Sequence, residues 1–506
     1  MRTAVFLQDE TMMMRRLFLI FTGFLIAGWS SNLRAAPPNI LFIAIDDMND
    51  WTGFLGGHPQ AKTPNMNALA KKGVNFTNAH CVAPACSPSR NALLYGVQPF
   101  KSGLYPFYSR DEIPKSVLGQ YTSLMQFFKD NGYGTYGAGK VHHGSTTNYR
   151  EWTEFRKPPE HPLVYDPDSG YQQGKSKKMA FCPTTNPLEE HPDHKVASYG
   201  IEVLSRTHEK PFFLAVGIVK PHLAFVCPKQ FFDLYPDPIA SPAIHPEDLD
   251  DVPWVGRAMA KINDDQRYRK DEAWERVRRA YLACISWADY NIGRVLDALA
   301  NSPHADNTIV VLWSDHGYHL GEKRSFRKFS LWEEATRVPF IIWDPRPGRQ
   351  PSSHECDQAV SLINIYRTLA DLAGLVPPEY VDGESLAKSL INPERQIGRP
   401  AITTWGRRNY TVRSDHWRYI RYHDGSEELY AHTVDSNEWS NLAKDPKWKS
   451  QKNKLALAVP KSEAPLVRQG ISLWNVIDAD QPPAKMKQFK QQFKKVNSRI
   501  DPPFVK

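Results

Sequence analysis

Cysteine is scarce in this chain: six residues in 506, at positions 81, 86, 182, 227, 284 and 356. None of them forms the close pairs that zinc fingers and ribbons need, which argues against a structural zinc scaffold. A chain this long can bury a large core without disulfides. Its length also predicts two or more structural units. Internal repeats are lacking, and so are a glycine-rich phosphate loop, a zinc finger and an RNA-binding signature. The net charge of +8 therefore does not point to nucleic acid. It leaves two readings: solvated lysines, many of them after Lys485, or attraction of anionic substrates. Long apolar runs are missing beyond the first forty residues, so no later segment reads as a membrane span.

The first forty residues do hold such a run. Residues 14–36 read MRRLFLIFTGFLIAGWSSNLRAA. Arg15 and Arg16 give a charged start, Leu17 to Trp29 an apolar stretch, and Ala35 and Ala36 a small-residue cleavage site. The pattern predicts a signal peptide over residues 1–36, with translation starting at Met14. The apolar run is shorter than the ~20 residues of a spanning helix, so no stable membrane anchor is expected. The protein is then secreted or periplasmic, where some of its cysteines are able to pair.

Further on, apolar runs and helical patterns alternate. Asn39 to Ile45 (NILFIAI) reads as a buried strand, followed at once by Asp46 and Asp47. Thr63-Pro64 opens a helix that Gly73 closes. Helical spacing recurs over Ser116 to Lys129, Asp271 to Leu299 and Leu362 to Ala373. Strands are expected at Tyr133 to Ala138, Pro211 to Val219, Thr308 to Trp313 and Val338 to Trp343. Such alternation predicts an α/β fold with a mainly parallel sheet flanked by helices. Sites in these sheets lie at the carboxyl ends of strands. Asp46-Asp47 and Asp315-His316 both follow such ends. From Ala401 the pattern changes to short strands and turns, which predicts a smaller α+β domain with an antiparallel sheet. The expected division is 37–390 and 391–506, the second part ending in a helical, basic tail.

The sharpest feature is Cys86-Ser87-Pro88-Ser89-Arg90. Pro88 favours the first turn of a helix, which places Cys86 near a helix N-terminus. The partial positive charge there favours anions and a reactive thiolate. Taken alone, a cysteine before a Ser-Pro turn is more often structural than reactive.

These residues match every fixed position of Cys-x-Pro-Ser-Arg, and the chain resembles the type I sulfatase family over nearly its whole mature length. The resemblance implies an alkaline-phosphatase-like α/β domain. It implies that a maturation enzyme oxidises Cys86 to Cα-formylglycine, whose aldehyde hydrate attacks sulfur while Arg90 holds it. It also implies one Ca²⁺ per chain, held by Asp46, Asp47, Asp315, His316 and the modified Cys86. Carboxylate oxygens suit calcium; an imidazole suits transition metals better. The iduronate-2-sulfatase branch carries Asp-His at 315–316 as this chain does. The family's usual continuation, Leu-Thr-Gly-Arg, reads Leu94-Tyr95-Gly96-Val97 here, so one supporting arginine is gone.

Three further segments carry the same resemblance. Gly139-Lys140-Val141-His142-His143 is similar to Gly-Lys-x-x-His, with Lys140 on a sulfate oxygen. The histidine against the nucleophile is His142 by the wider family's spacing and His143 by the iduronate-type spacing, which we favour. Lys220-Pro221-His222 supplies His222 as general acid to the leaving alcohol. Phe326-Arg327-Lys328 supplies Lys328 as a second sulfate-binding lysine. Val360 to Tyr366, Glu428-Leu429-Tyr430, Asn437-Glu438 and Asn441-Leu442 resemble fold markers of the family. The implied activity is hydrolysis of sulfate monoesters, with a sulfated saccharide as substrate and nucleic acid excluded. Two alternatives stand beside it: a phosphonate or phosphodiester hydrolase of the same fold, and a sulfated-glycan-binding protein without catalysis.

Overall fold

The structure is a computed structural model. It describes residues 36–108, 117, 119–143, 148–157, 162–166, 180–270, 272–468, 471–472, 477–481 and 483–496. Residues 1–35, and with them almost all of the expected signal peptide and the start at Met14, lie outside the described residues, as does the tail after 496. Residues Pro38–Lys506 form one compact unit. Among the described residues, no helix is long and apolar enough to cross a membrane.

An eight-stranded sheet organises this unit. Its strands are β1 (Asn39–Asp46), β2 (Val74–Phe76), β3 (Gly134–Gly139), β4 (Glu154–Arg156), β5 (Phe212–Pro221), β6 (Thr308–Ser314), β7 (Phe340–Trp343) and β8 (Glu355–Cys356). They lie in the order β8-β2-β7-β6-β1-β5-β3-β4. The five strands from β6 to β4 run parallel. The expectation of a mainly parallel sheet holds, with one difference: β7 runs antiparallel to both β6 and β2. Its sequence is a short apolar run, which signals burial but not direction.

β1 shows why the sheet is a central layer. Alternate side chains leave opposite faces of a strand. Leu41, Ile43 and Ile45 enter one core with Leu214, Val216, Val310 and Leu312. Ile40, Phe42 and Ala44 enter the other with Phe213, Ala215, Val311 and Trp313. The first core is closed by α1 (Pro64–Ala70), α4 (Pro192–Leu204) and α5 (Trp274–Ala300). The second is closed by α2 (Cys86–Tyr95), α3 (Leu124–Asp130) and α6 (Asn364–Leu372). Thr63 does precede α1 with Pro64 at its start, but its hydroxyl makes no capping bond. It accepts from the Gly53 N–H at 2.9 Å and donates to Asn67 at 2.9 Å. Ser123 caps α3, accepting from the Gln126 N–H at 3.1 Å.

After the large sheet comes the expected antiparallel one: β9 (Ala401–Thr404), β10 (Tyr410–Arg413), β11 (Trp417–Arg421) and β12 (Glu427–Ala431), paired in chain order. Helices α7 (Lys449–Ala456) and α8 (Pro483–Val496) follow. All six cysteines are buried and none is joined in a disulfide.

Candidate active site

Four parallel strands end side by side, and the chemistry-bearing residues lie at those ends. Ile45 of β1 stands opposite Ser314 of β6 and Ile218 of β5, and Gly139 of β3 stands opposite Gly217 of β5. The strands therefore deliver Asp46-Asp47, Asp315-His316, His222 and Lys140 to one edge. Asp47 turns the chain with φ of +61°. Its N–H donates to Asp315 Oδ1 at 3.1 Å, and its carbonyl accepts from the Tyr281 hydroxyl at 2.7 Å. Met48 N–H donates to Ser314 Oγ at 2.9 Å.

Cys86 opens α2, every residue of which is buried. The expected helix N-terminus at this cysteine is present. Two side chains one turn further on tie the helix to the strand ends. Ser89 Oγ donates to the Asp315 carbonyl at 2.6 Å. Arg90, fully buried, donates from Nε to Asp315 Oδ2 at 2.7 Å, from Nη2 to the Ile45 carbonyl at 3.1 Å and from Nη1 to the Val141 carbonyl at 2.9 Å. It also meets the Lys140 carbonyl. Most of its five donors are thus engaged by the scaffold.

Around the Cys86 sulfur, Lys328 Nζ lies at 3.0 Å, His316 Nε2 at 3.2 Å and Asp47 Oδ1 at 3.7 Å. Lys328 also meets Asp47 Oδ1 at 2.7 Å, and Lys140 pairs with Asp46 Oδ2. Burial and Asp46 push the Cys86 thiol up, but Lys140 and Lys328 pull it down to about 7. Burial also opposes the Asp46 charge. Lys140, His222, Arg90 and Lys328 nonetheless hold its carboxyl well below the usual range. Asp47 is held at about 2 against burial, by His222, Lys328 and His316. Burial works against the His316 proton, yet Asp315 and Asp47 lift it to about 9.

His222 is one-third exposed, and its Nε2 stands 4.0 Å from Asp47 Oδ2. Its Nδ1 faces the Leu223 carbonyl at 2.6 Å. A carbonyl only accepts, so Nδ1 carries a hydrogen and Nε2 is the nitrogen left for chemistry. His143 packs its ring on Phe107, 5.4 Å between centroids. Burial, with Lys140 nearby, holds it neutral, down to about 3. His142 points elsewhere: it is buried with Nε2 2.5 Å from Glu151.

Ligand atoms of Asp46, Asp47, Cys86 and His316 lie within 4.8 Å of one another. Asp46 Oδ1 is buried and accepts no hydrogen bond among the described residues, as a carboxylate reserved for a cation would be. The group fits a divalent ion. An oxygen in place of the sulfur would shift the donor set toward calcium. Asp315 stands behind it: Oδ2 takes Arg90, and Oδ1 takes the amides of Asp47 and His316. Another group, Glu333, His432 and Glu438, is equally tight, but its carboxylates are spent on Arg413 and Arg418.

Two supporting residues carry no signal in the sequence pattern. Tyr281 sits inside the helical spacing of α5 and reads there as core. Asp193, in the first turn of α4, accepts from the Val219 and Lys220 N–H groups at 2.8 and 3.0 Å and so fixes the strand end before His222.

The family profile described as Sulfatase matches residues 38–375, and that described as N-sulphoglucosamine sulphohydrolase, C-terminal, matches 321–464. A sulfatase of Formosa agariphila is 38% identical over 454 residues, covering 84% of this chain and 87% of that protein. Mouse iduronate 2-sulfatase is 33% identical over 387 residues, covering 67% of this chain and 69% of that protein. Among solved structures, a phosphonate monoester hydrolase of Agrobacterium radiobacter superposes with a TM-score of 0.69 at 20% identity. It covers 83% of this chain and 94% of the other, a likeness of fold.

Proposed function

The chain belongs to the sulfatase family and is a sulfuric ester hydrolase, and from that premise we propose that it removes sulfate from sulfated sugars of polysaccharides, with uronate 2-sulfates as the leading class. The observation that carries the reading is the environment of Cys86. Two lysines, two carboxylates and an imidazole converge on a buried residue at the mouth of a parallel sheet.

Formylglycine at position 86 would supply a geminal-diol nucleophile, and Ca²⁺ held by Asp46, Asp47 and His316, with Asp315 behind them fixing the Asp47 and His316 amides, would supply positive charge. The chain's own groups do the rest. A sulfate monoester is anionic and repels nucleophiles, so Lys140 and Lys328 neutralise the sulfuryl oxygens. Arg90 fixes the strand ends relative to Cys86, and its Nη2 adds positive charge 3.6 Å from Asp46 Oδ1. His222 delivers a proton from Nε2 to the leaving oxygen, since Nδ1 is tied to Leu223. His143, kept neutral, accepts the proton whose loss releases sulfate. A formylglycine-generating enzyme as partner, export under a leader over residues 1–36 and a division near residue 390 belong to the same reading.

The test is a screen of the purified mature protein on defined sulfated saccharides, beside an aryl sulfate and an aryl phosphodiester. Release of inorganic sulfate from a 2-O-sulfated uronate is the expected result, together with a mass at residue 86 that fits formylglycine. Turnover confined to the phosphodiester would favour the phosphonate-hydrolase alternative. Saccharide binding without sulfate release would leave a glycan-binding protein.

A further inference from the structure

The segment between Lys140 and His143 is held from behind by a buried pair that the proposed chemistry does not use. Gly139 has φ of +75°, and Lys140 N–H donates to the Gly217 carbonyl at 2.9 Å. The turn that follows sets Lys140 against Asp46, His143 against the Phe107 ring and His142 into the protein. His142 is 2% exposed and Glu151 is fully buried. Nε2 of His142 lies 2.5 Å from Glu151 Oε1, and Ser123 Oγ donates to Glu151 Oε2 at 2.5 Å. The Glu151 carbonyl accepts from Thr135 Oγ1 at 2.9 Å, which fixes the acid to β3 itself.

The tautomer follows from the partners. A carboxylate only accepts, so Nε2 of His142 carries the hydrogen. Nδ1 is buried without a partner among the described residues. On its other side, the turn offers the Lys140 and Val141 carbonyls to Arg90. The turn is thus clamped from two directions: by Arg90 on the site side and by Glu151 through His142 on the core side.

We propose that Glu151 and His142 are positioning residues for the reaction, setting the turn that presents Lys140 and His143 to the residue at position 86. This rests on the roles proposed above for Lys140 and His143. Without the carboxylate, no other hydrogen bond among the described residues holds the ring's Nε2 inward, and the turn is free to rotate about its Arg90 bonds. A displacement of about 1 Å in a positioned group is enough to cost on the order of 10²-fold in rate. Glutamine at 151 keeps an acceptor for His142 and, by reversing the Ser123 hydroxyl, a second hydrogen bond.

The experiment measures kcat and KM per folded molecule on an aryl sulfate for Glu151→Gln, Glu151→Ala, Lys140→Ala and the Glu151→Ala/Lys140→Ala double variant. The expected result is near-normal kcat for Glu151→Gln and a loss of about 10- to 100-fold in kcat for Glu151→Ala. In the Lys140→Ala background, Glu151→Ala should cost much less than it does alone, because the two act through one group. Should Glu151→Ala fail to fold, His142→Gln replaces it in the same comparison. Normal kcat in Glu151→Ala, or losses that multiply in full, would overturn the proposal while leaving the proposed function standing. Full activity in Lys140→Ala would instead overturn the role of Lys140 first.

Discussion

Cys86 and His222 contribute to different moments of the proposed reaction, so their removal should leave different signatures. Cys86→Ala deletes the attacking group but leaves Lys328, His316 and Asp47 in place around it. Turnover should vanish on every substrate while thermal unfolding stays cooperative, and activity above a trace would sink the formylglycine mechanism. His222→Ala should be selective. A sugar alkoxide leaves badly without a proton, whereas an activated phenolate barely needs one. General acid catalysis is worth about 10²–10⁴-fold, and that loss should appear on the sugar sulfate but not on the aryl sulfate. Equal kcat/KM losses on both would mean that His222 binds sulfate and donates no proton. Metal analysis should find about one equivalent of calcium, and chelation should abolish activity; full activity without metal would remove the ion from the mechanism. The residues behind these expectations are legible because each lies in a short contiguous motif: Cys86 to Arg90, Asp315-His316, Lys220 to His222. Tyr281, Asp193 and Glu151 are not legible. Each acts on a backbone group or side chain that only the fold brings near, and a polar residue in a helix or loop carries no mark of that.

At the level of elements, the site depends on how closely β3 and β5 end. Gly217 faces Gly139 across the strands, and a Cβ at 217 would lie 2.3–2.6 Å from the Lys140 backbone. That contact is backbone, which cannot swing aside as a flexible side chain does. Gly217→Ala should destabilise by about 1–3 kcal/mol, as overpacking does. It should also lower kcat/KM by displacing Lys140. Gly398→Ala, where a Cβ would meet only ordinary contacts with Glu384 at 3.6 Å or more, serves as the control and should change neither. If thermal unfolding and kinetics of Gly217→Ala match that control, the close approach of the two strands is not what places Lys140. The alternation of strands and helices was readable from apolar periodicity, and β1, β5 and β6 begin and end within two residues of expectation. The direction of β7 was not readable, since Val338 to Trp343 is equally apolar whichever way it runs. Glycine 217 looks, in sequence, like any small residue inside a buried strand.

Across the whole molecule, the antiparallel sheet is fastened to the strand-end site through one fully buried arginine. Arg418 of β11 pairs with Glu438 and with Glu333, five residues beyond Lys328. It also donates to the Leu331 carbonyl at 3.0 Å and to Thr336 at 3.1 Å. Glu428 of β12 accepts from Trp332 Nε1 at 2.8 Å beside it. The markers Glu428-Leu429-Tyr430 and Asn437-Glu438, which in sequence indicate only a family resemblance, thus include the residues that hold the Lys328 segment against the second sheet. Burial opposes the Glu438 charge, but Arg418 and His432 overcome it and hold its carboxyl at about 2, against 4.5 in an unfolded chain. A carboxylate held lower in the folded state stabilises the fold in its charged form. That contribution is complete above about pH 4.5 and is lost as the pH falls through about 2. Glu438→Gln should therefore be destabilised already at pH 7, by about 3–5 kcal/mol if Arg418 is left short of a partner. Its melting temperature should then fall less steeply than that of the natural protein between pH 4.5 and 2. Parallel pH profiles for the two would mean that other carboxylates govern acid unfolding, and that the Arg418 junction contributes shape without charge.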